Sequence, residues 1–137
     1  MAIIEVSQGT GQNRLHPQKA ETTVTKNTLG VFDANGYVTA CSSTSTYADF
    51  LILQTQTTAA GVTTDVLIKL LDGSEYLEAD CTNVTALNQV GNSHDLTSAG
   101  VLANTSSDGT YKCIKAVGIV GAIGGTKLLC RAVVRAA

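Results

Sequence analysis

The chain has 137 residues and a net charge of −2 at pH 7, and only 15% of its residues are charged. Aromatic residues make up 4%, with no tryptophan. Nucleic-acid binding calls for clustered Lys and Arg or for aromatic stacking platforms, so this composition argues against a nucleic-acid partner. The many threonines and valines favour strands, because β-branched side chains pack well on a pleated surface. We expect one small all-β domain, a β-sandwich or a β-barrel with at most short helical turns.

The first zone, residues 1–30, predicts an extended N-terminal arm or loop that precedes a β domain of residues 31–137. It opens with a strand-like run, Ile3 to Val6, and continues as a polar stretch with weak periodicity. Such a segment often carries contacts to partners, and simple disorder of the chain end is the alternative. The opening residues lack the basic and apolar regions of a secretory signal, and no apolar run approaches the ~20 residues of a membrane span. We therefore expect synthesis in a cytoplasm and no membrane partner.

The next zone carries two hairpin signals. Short apolar runs flank the sequence DANG at residues 33–36, whose Asn-Gly dipeptide tolerates the positive φ angles of tight turns. An apolar run, Phe50 to Leu53, follows. The run Val66–Leu71 then leads through Asp72-Gly73 to a return strand, Glu75–Ala79, which predicts a second hairpin. Val66–Leu71 could also form a helical turn, but its β-branched neighbours and the Asp-Gly break favour a strand.

The last zone, residues 83–137, predicts one short helical turn around Ala86–Val90 and a closing pair of strands joined by a glycine-rich turn. The final strand alternates with a period of two, which is typical of a strand with one buried face. Its predicted core face comprises Leu128, Cys130, Ala132 and Val134. Its other face comprises Leu129, Arg131, Val133 and Arg135. Because this second face mixes apolar and charged residues, it is a candidate partner interface.

The four cysteines have no C-x-x-C spacing, which argues against a zinc ribbon or a redox motif. Without a secretory signal, Cys41, Cys81, Cys113 and Cys130 are interpreted as buried free thiols that act as small apolar residues. Cross-strand disulfide formation after release from a cell is the alternative. The remaining constellations predict no chemistry. His94-Asp95 lacks a nucleophile elbow, and the glycine-rich segment 118–127 lacks the phosphate-loop spacing. We therefore predict no catalytic, cofactor or metal site, and no enzyme.

Four segments together carry a family resemblance: GYVTAC (36–41), VLIKLLDGSEYLEAD (66–80), VGNSHDLT (90–97) and TKLLCRAVV (126–134). In this order the chain resembles the small capsid decoration proteins of tailed bacteriophages, also called cement or head-stabilising proteins. The similarity covers about two-thirds of the chain, from Val31 onward. The four cysteines, the Thr-rich segment 42–64 and the N-terminal arm depart from the family pattern.

The resemblance implies a virion structural protein that binds the outside of an assembled capsid and bridges neighbouring major capsid proteins. It also implies self-association as a homotrimer at three-fold or quasi-three-fold positions. Candidate partner contacts are Ile3, Ile4, Val6, Leu129, Arg131, Val133 and Arg135. The alternatives are another phage assembly component, such as a tail or fibre module or a minor shell protein, and a β module for adhesion or carbohydrate binding.

Overall fold

The computed structural model describes residues 4–8, 12–97, 100–104 and 111–135, the first of these ranges by its backbone alone. Within these ranges the chain forms one short 3-10 helix, Leu87–Gln89, and thirteen strands. The strands are β1 (Ile4–Gln8), β2 (Asn13–Gln18), β3 (Thr23–Val24), β4 (Leu29–Phe32), β5 (Val38–Ala40), β6 (Phe50–Ile52), β7 (Gln56–Thr57), β8 (Thr64–Leu70), β9 (Tyr76–Asp80), β10 (Ser93–Leu96), β11 (Leu102–Ala103), β12 (Ile114–Ile119) and β13 (Lys127–Ala132). The prediction of a small all-β domain is confirmed.

Five strands close into a barrel in the order β2-β5-β4-β6-β8. Strand β2 pairs antiparallel with β8 along its whole length, from Asn13 opposite Lys69 to Gln18 opposite Thr64. A parallel contact between Gln18 and Val38 closes the ring. The barrel interior is filled by the buried side chains of Val24, Val38, Phe50, Ile52, Val66 and Ile68. The short strands β3 and β7 form a separate two-stranded ribbon.

Residues 1–30, predicted as an arm or loop, join the folded domain where the structure describes them. Strand β1 lies at the edge of the second sheet, β2 forms part of the barrel wall, and β4 already begins at Leu29. The sequence pattern misses β2 because, of its six side chains, Gln18 alone is fully buried. Backbone hydrogen bonds to β8 hold this strand, so it needs no apolar alternation. The predicted boundary at residue 30 therefore falls inside a barrel strand.

Six strands form the second sheet, in the order β1-β9-β13-β12-β10-β11. The sheet curls until β11 meets the chain just after β9, where Cys81 forms a parallel bridge with Leu102. The amide of Thr82 also donates to the Leu102 carbonyl at 3.0 Å. The predicted closing pair of strands is confirmed as β12 and β13, and β9 pairs with the other edge of β13.

The main hydrophobic core lies between the concave side of this sheet and the outer wall of the barrel. Its buried members are Leu29, Ala48, Leu51, Leu71, Leu77, Ala79, Leu96, Leu102, Cys113, Ile114, Ala116, Leu128, Cys130 and Ala132. The predicted core face of the last strand is confirmed, since Leu128, Cys130 and Ala132 are buried and Val134 packs against the cluster. The two sheets are therefore joined by one shared core.

The hairpin predicted at Asp72-Gly73 is wrong, although both of its strands exist. Both edges of β8 are occupied within the barrel, by β2 and β6, while β9 pairs with β1 and β13 in the other sheet. The segment between them thus crosses from barrel to sheet. Glu75, only 2% exposed, holds this crossing: its carboxylate accepts hydrogen bonds from the amides of Asp72 (3.1 Å) and Gly73 (3.2 Å).

The other turn predictions hold. Strands β4 and β5 form the predicted hairpin, with Phe32 opposite Val38. The Asp33 carboxylate lies inside the turn and accepts from the amides of Asn35 and Tyr37, each at 2.9 Å. The short helical turn expected around residues 86–90 is the 3-10 helix.

Candidate interaction surfaces

The mixed outer face of β13 is organised by arginines that stack on tyrosine rings. The Arg131 guanidinium lies 4.6 Å from the centroid of the Tyr76 ring, and its Nη2 donates to the Tyr76 hydroxyl at 2.8 Å. Leu129 is half-buried, whereas Arg131 is exposed. A guanidinium held over a ring keeps its remaining N–H groups available to donate hydrogen bonds to a partner. Tyr76 therefore holds Arg131 in place on the face that also carries Leu129.

A second stack lies just beyond the end of β13. Arg135 lies 4.6 Å from the Tyr47 ring centroid and makes two hydrogen bonds to the Asp49 carboxylate, Nε to Oδ1 at 3.2 Å and Nη2 to Oδ2 at 2.8 Å. Its Nη2 also donates to the Phe32 carbonyl at 2.9 Å. This carboxylate raises the pKa of Arg135 above its ordinary value. Arg135 thus ties the end of the chain to the barrel, a role that the sequence pattern did not predict.

The predicted contacts near the N-terminus lie apart from this face. In the register of the sheet, Ile4 pairs with Ala79 and Val6 with Leu77, and both partners are fully buried. Ile3 lies outside the described residues. One strand, β9, lies between β1 and β13, and the register places Ile4 in the row of Ala79 and Leu128, whereas Leu129 lies in the row of Glu78. The structure does not bring the predicted contact residues into one patch.

A surface that the sequence reasoning missed is an exposed apolar cluster, here named the apolar tip, formed by Val84, Leu87 and Ile123. These side chains are 63%, 69% and 59% exposed, respectively. Val84 precedes the 3-10 helix, Leu87 is the first residue of that helix, and Ile123 lies in the β12–β13 turn. Sequence alone gives large apolar residues as core candidates, and only the fold shows that these three face solvent.

Backbone hydrogen bonds fasten the two segments of the apolar tip to each other. The Thr85 amide donates to the Gly125 carbonyl at 2.9 Å, and the Gly124 amide donates to the Thr85 carbonyl at 2.9 Å. The Gly124 amide also lies 3.1 Å from the Thr85 hydroxyl oxygen. Thr85 is itself 1% exposed. The tip is therefore held in place by buried backbone rather than carried on independent loops.

A buried amide network supports the tip from beneath. The Gln89 side-chain oxygen accepts from the Ala86 amide at 3.0 Å, and its nitrogen donates to the Asn104 carbonyl at 3.3 Å. Asn104 in turn accepts from the Asn83 amide at 2.7 Å and donates to the Asn83 carbonyl at 3.0 Å. Both amide side chains are buried, so their hydrogen bonds fix the segment that carries Val84.

The tip is free of charged residues. No Asp, Glu, Lys or Arg occurs in residues 81–94 or 116–126, the two segments that build it. Removing an uncharged apolar surface from water carries no charge-desolvation penalty, so this surface suits a protein partner with a matching apolar patch.

The structure also places the residues that could have supported catalysis or metal binding. His94 is fully buried and its Nε2 lies 3.2 Å from the Gln89 carbonyl, whereas the Asp95 carboxylate accepts from the Tyr111 amide at 2.9 Å. The two side chains thus serve different partners. Asp80 forms an ion pair with Lys127 at 2.8 Å. Over the described ranges, three or more His, Cys, Asp or Glu side chains nowhere converge on a possible metal position.

No protein-family model matches the chain, and neither does any curated protein sequence. None of the helices in the described ranges is long and apolar enough to cross a membrane.

Proposed function

We propose that the protein is a bacteriophage capsid decoration protein, which binds the outer surface of an assembled capsid and cements it by bridging major capsid proteins. The apolar tip is the observation that carries this proposal. An all-β domain with the four segments of the decoration-protein resemblance, an exposed apolar patch and a separate face that carries the exposed Arg131 is suited to holding neighbouring proteins together.

The tip supplies the energy of attachment. Full burial of a large aliphatic side chain is worth about 1.5–3 kcal/mol, and Val84, Leu87 and Ile123 are each more than half exposed. Covering all three would contribute a few kcal/mol per copy, which is a weak contact for a single molecule. A shell carries many copies, and their contacts act together against rupture.

Bridging requires a second surface, and β13 provides one at a distance from the tip. This strand begins at the turn that carries Ile123, and the chain continues past its end to Arg135 beside the barrel. The exposed guanidinium of Arg131 can donate to carbonyl or carboxylate oxygens on a second neighbour, whereas Arg135 is already bonded to Asp49 and Phe32. Two surfaces at opposite ends of one rigid strand allow one copy to contact two partners.

Self-association as a homotrimer is part of the proposal, because closed symmetric oligomers place identical surfaces around a symmetry axis. Light scattering of the purified chain should then give a mass of about 42 kDa, three times the 14.1 kDa of one chain. A mass of one chain would overturn the trimer while leaving monomeric cementing to the binding experiment.

The binding experiment uses capsids of the encoding phage that were assembled without this protein. Wild-type chain should co-sediment with these capsids. The double substitution Leu87→Ser and Ile123→Ser should lower its affinity at least tenfold. Leu15→Ser is the matched control, since Leu15 is 60% exposed on the barrel strand β2 and should bind as the wild type does. Absence of wild-type binding would refute the proposed function, and unchanged binding by the double variant would refute the role of the tip.

A further inference from the structure

The outer face of the curled sheet carries two pairs of like charges, and the pairs are opposite in sign. On β12 and β13, Lys115 lies directly opposite Arg131, and both residues are exposed. On β1 and β9, Glu5 is the register partner of Glu78. Lys115 and Arg131 are here named the basic pair, and Glu5 and Glu78 the acidic pair. Like charges at directly opposite positions destabilise a sheet, so each pair is unfavourable in the isolated chain.

The register places both pairs on one face of the sheet. Glu78 lies opposite Leu129, and Arg131 lies two residues, about 7 Å, further along β13. Alternate residues of a strand point to the same side, so Glu78, Leu129 and Arg131 share the outer face. Leu128 and Cys130 point to the other side, where they are buried in the core. The acidic and basic pairs are therefore neighbouring patches on one surface.

The described contacts do not neutralise these charges. The Arg131 guanidinium bonds an uncharged group, the Tyr76 hydroxyl, at 2.8 Å. Over the described ranges, neither Glu78 nor Lys115 takes part in an ion pair. A partner that carries the opposite charges would thus relieve both like-charge pairs.

An apolar centre lies beside the two pairs. Leu129 is half-buried, and its partner on β12 is Gly118. A Cβ atom on Gly118 would lie 3.6 Å from the Leu129 Cβ, so the missing side chain leaves Leu129 uncovered on this side. The neighbouring Val117 is also only half-buried. Apolar residues within a polar rim are the usual composition of a protein–protein interface.

We propose that this face binds a second copy of the chain, with the acidic pair of one copy against the basic pair of the next. Each copy carries one pair of each sign, so the chain is its own electrostatic complement. Head-to-tail repetition of the contact around a three-fold axis closes a ring in which every pair is matched. The inference rests on the homotrimer of the proposed function, and it names the second neighbour that the Arg131 face contacts.

Light scattering of the purified chain in free solution, at about 0.15 M salt, tests this contact. The wild type should have a mass of about 42 kDa, three times the 14.1 kDa of one chain. One variant reverses the acidic pair by Glu5→Lys and Glu78→Lys, and another reverses the basic pair by Lys115→Glu and Arg131→Glu. Each brings like charges together across the interface, so each should lower the association constant at least tenfold and shift the mass toward one chain.

The exchange of both pairs in one chain provides the rescue. This variant again places opposite charges at every contact, so the trimer should return. Two control variants make the same changes of charge at exposed positions outside the curled sheet and should stay trimeric: Lys19→Glu with Lys26→Glu, and Glu21→Lys with Asp65→Lys. All variants should melt within a few degrees of the wild type, because substitutions at the surface seldom change stability by much.

The proposal is overturned if the wild type has the mass of one chain or of two, or if either reversed pair leaves the trimer intact. It is also overturned if the exchanged variant folds but does not regain the trimer, or if the controls dissociate as the reversed pairs do. Co-sedimentation with capsids tests the proposed function separately, since these masses are measured without capsids. A trimer with the expected charge dependence that does not bind capsids would support this inference and refute the proposed function.

Discussion

Gly30 is the position where one added methyl group should damage the barrel most. It lies in β4 opposite Phe50 on β6. A Cβ atom at this position would overlap the Phe50 ring and lie 2.7 Å from the carbonyl oxygen of Thr39, closer than real Cβ atoms approach. The ring cannot retreat freely, because Phe50 is fully buried and its centroid lies 4.9 Å from that of Phe32, which in turn contacts His16.

The magnitude follows from the neighbours that would have to move. Overpacking of a core typically costs about 1–3 kcal/mol. The upper end applies to Gly30→Ala, since one of the two clashes is with backbone that is itself paired in the sheet. A loss of about 3 kcal/mol lowers the melting temperature of a domain of this size by roughly 10 °C.

Urea unfolding followed by circular dichroism measures this loss, and Gly118→Ala is the matched control. Gly118 is also a strand glycine, but a Cβ there would meet only the Leu129 side chain, at an ordinary 3.6 Å. We expect the control to change the free energy of unfolding by less than about 1 kcal/mol. If Gly30→Ala is no less stable than Gly118→Ala, the described packing of the barrel interior is incorrect.

Three further predictions concern the crossing segment and the thiols. Glu75→Ala should lower the free energy of unfolding in urea by about 2–3 kcal/mol, because it leaves the amides of Asp72 and Gly73 without their acceptor. Glu75→Gln keeps an acceptor oxygen and should lower it less. Equal losses for the two variants would contradict this role of Glu75. Hydrogen bonds from Ser74 hold the pKa of Asp72 below its ordinary 3.8, so the stability that this carboxylate contributes is present above about pH 4 and is lost as the pH falls further. Asp72→Asn should reduce the fall in melting temperature below pH 4, measured in a pH series of melting curves. An unchanged dependence of the melting temperature on pH would contradict this contribution of Asp72. Burial raises the pKa of Cys81 to about 11, so little of the reactive thiolate is present in the folded protein at pH 8. Iodoacetamide at this pH should therefore label Cys81 slowly in the folded protein and rapidly in guanidinium. Equal labelling rates in the two conditions would contradict the burial of this thiol.

The closing strands were predictable because their pattern is local. Alternation along β13 identifies its buried face directly, and the structure buries Leu128 and Cys130 as the sequence indicates. The contacts made by the outer face of β13 could not be predicted in the same way. The ring beneath Arg131 comes from β9, and the partners of Arg135 come from β4 and from the loop after β5, so neither contact has a signal within β13.

The errors arise where pairing is decided by distant parts of the chain. Asp72-Gly73 has the local chemistry of a hairpin turn, yet β2 and β6 occupy both edges of β8 and send the chain to the other sheet. Glu75 looks like a solvated strand carboxylate in the sequence, whereas its carboxylate is buried in the crossing. Strand β2 was not predicted, because backbone hydrogen bonds hold it in the barrel and only Gln18 of its six side chains is fully buried, so its sequence shows no apolar alternation.

The apolar tip was missed because exposure is not a property of sequence. Val84, Leu87 and Ile123 resemble core residues when read alone. The signal that could have indicated the tip is their setting, since Val84 and Leu87 lie in a segment rich in Asn and Thr, Ile123 lies in a segment rich in Gly, and neither segment contains Asp, Glu, Lys or Arg. Such segments predict loops, and large apolar residues in two adjoining loops indicate a contact surface.

The central claim is most directly tested by electron cryomicroscopy of the native particle of the encoding phage, compared with particles that lack this protein. We predict difference density on the outer surface of the shell, at three-fold or quasi-three-fold positions, into which the barrel and the curled sheet fit with the apolar tip against a major capsid protein. Difference density on the tail alone, or no difference on the shell, would contradict the proposed function.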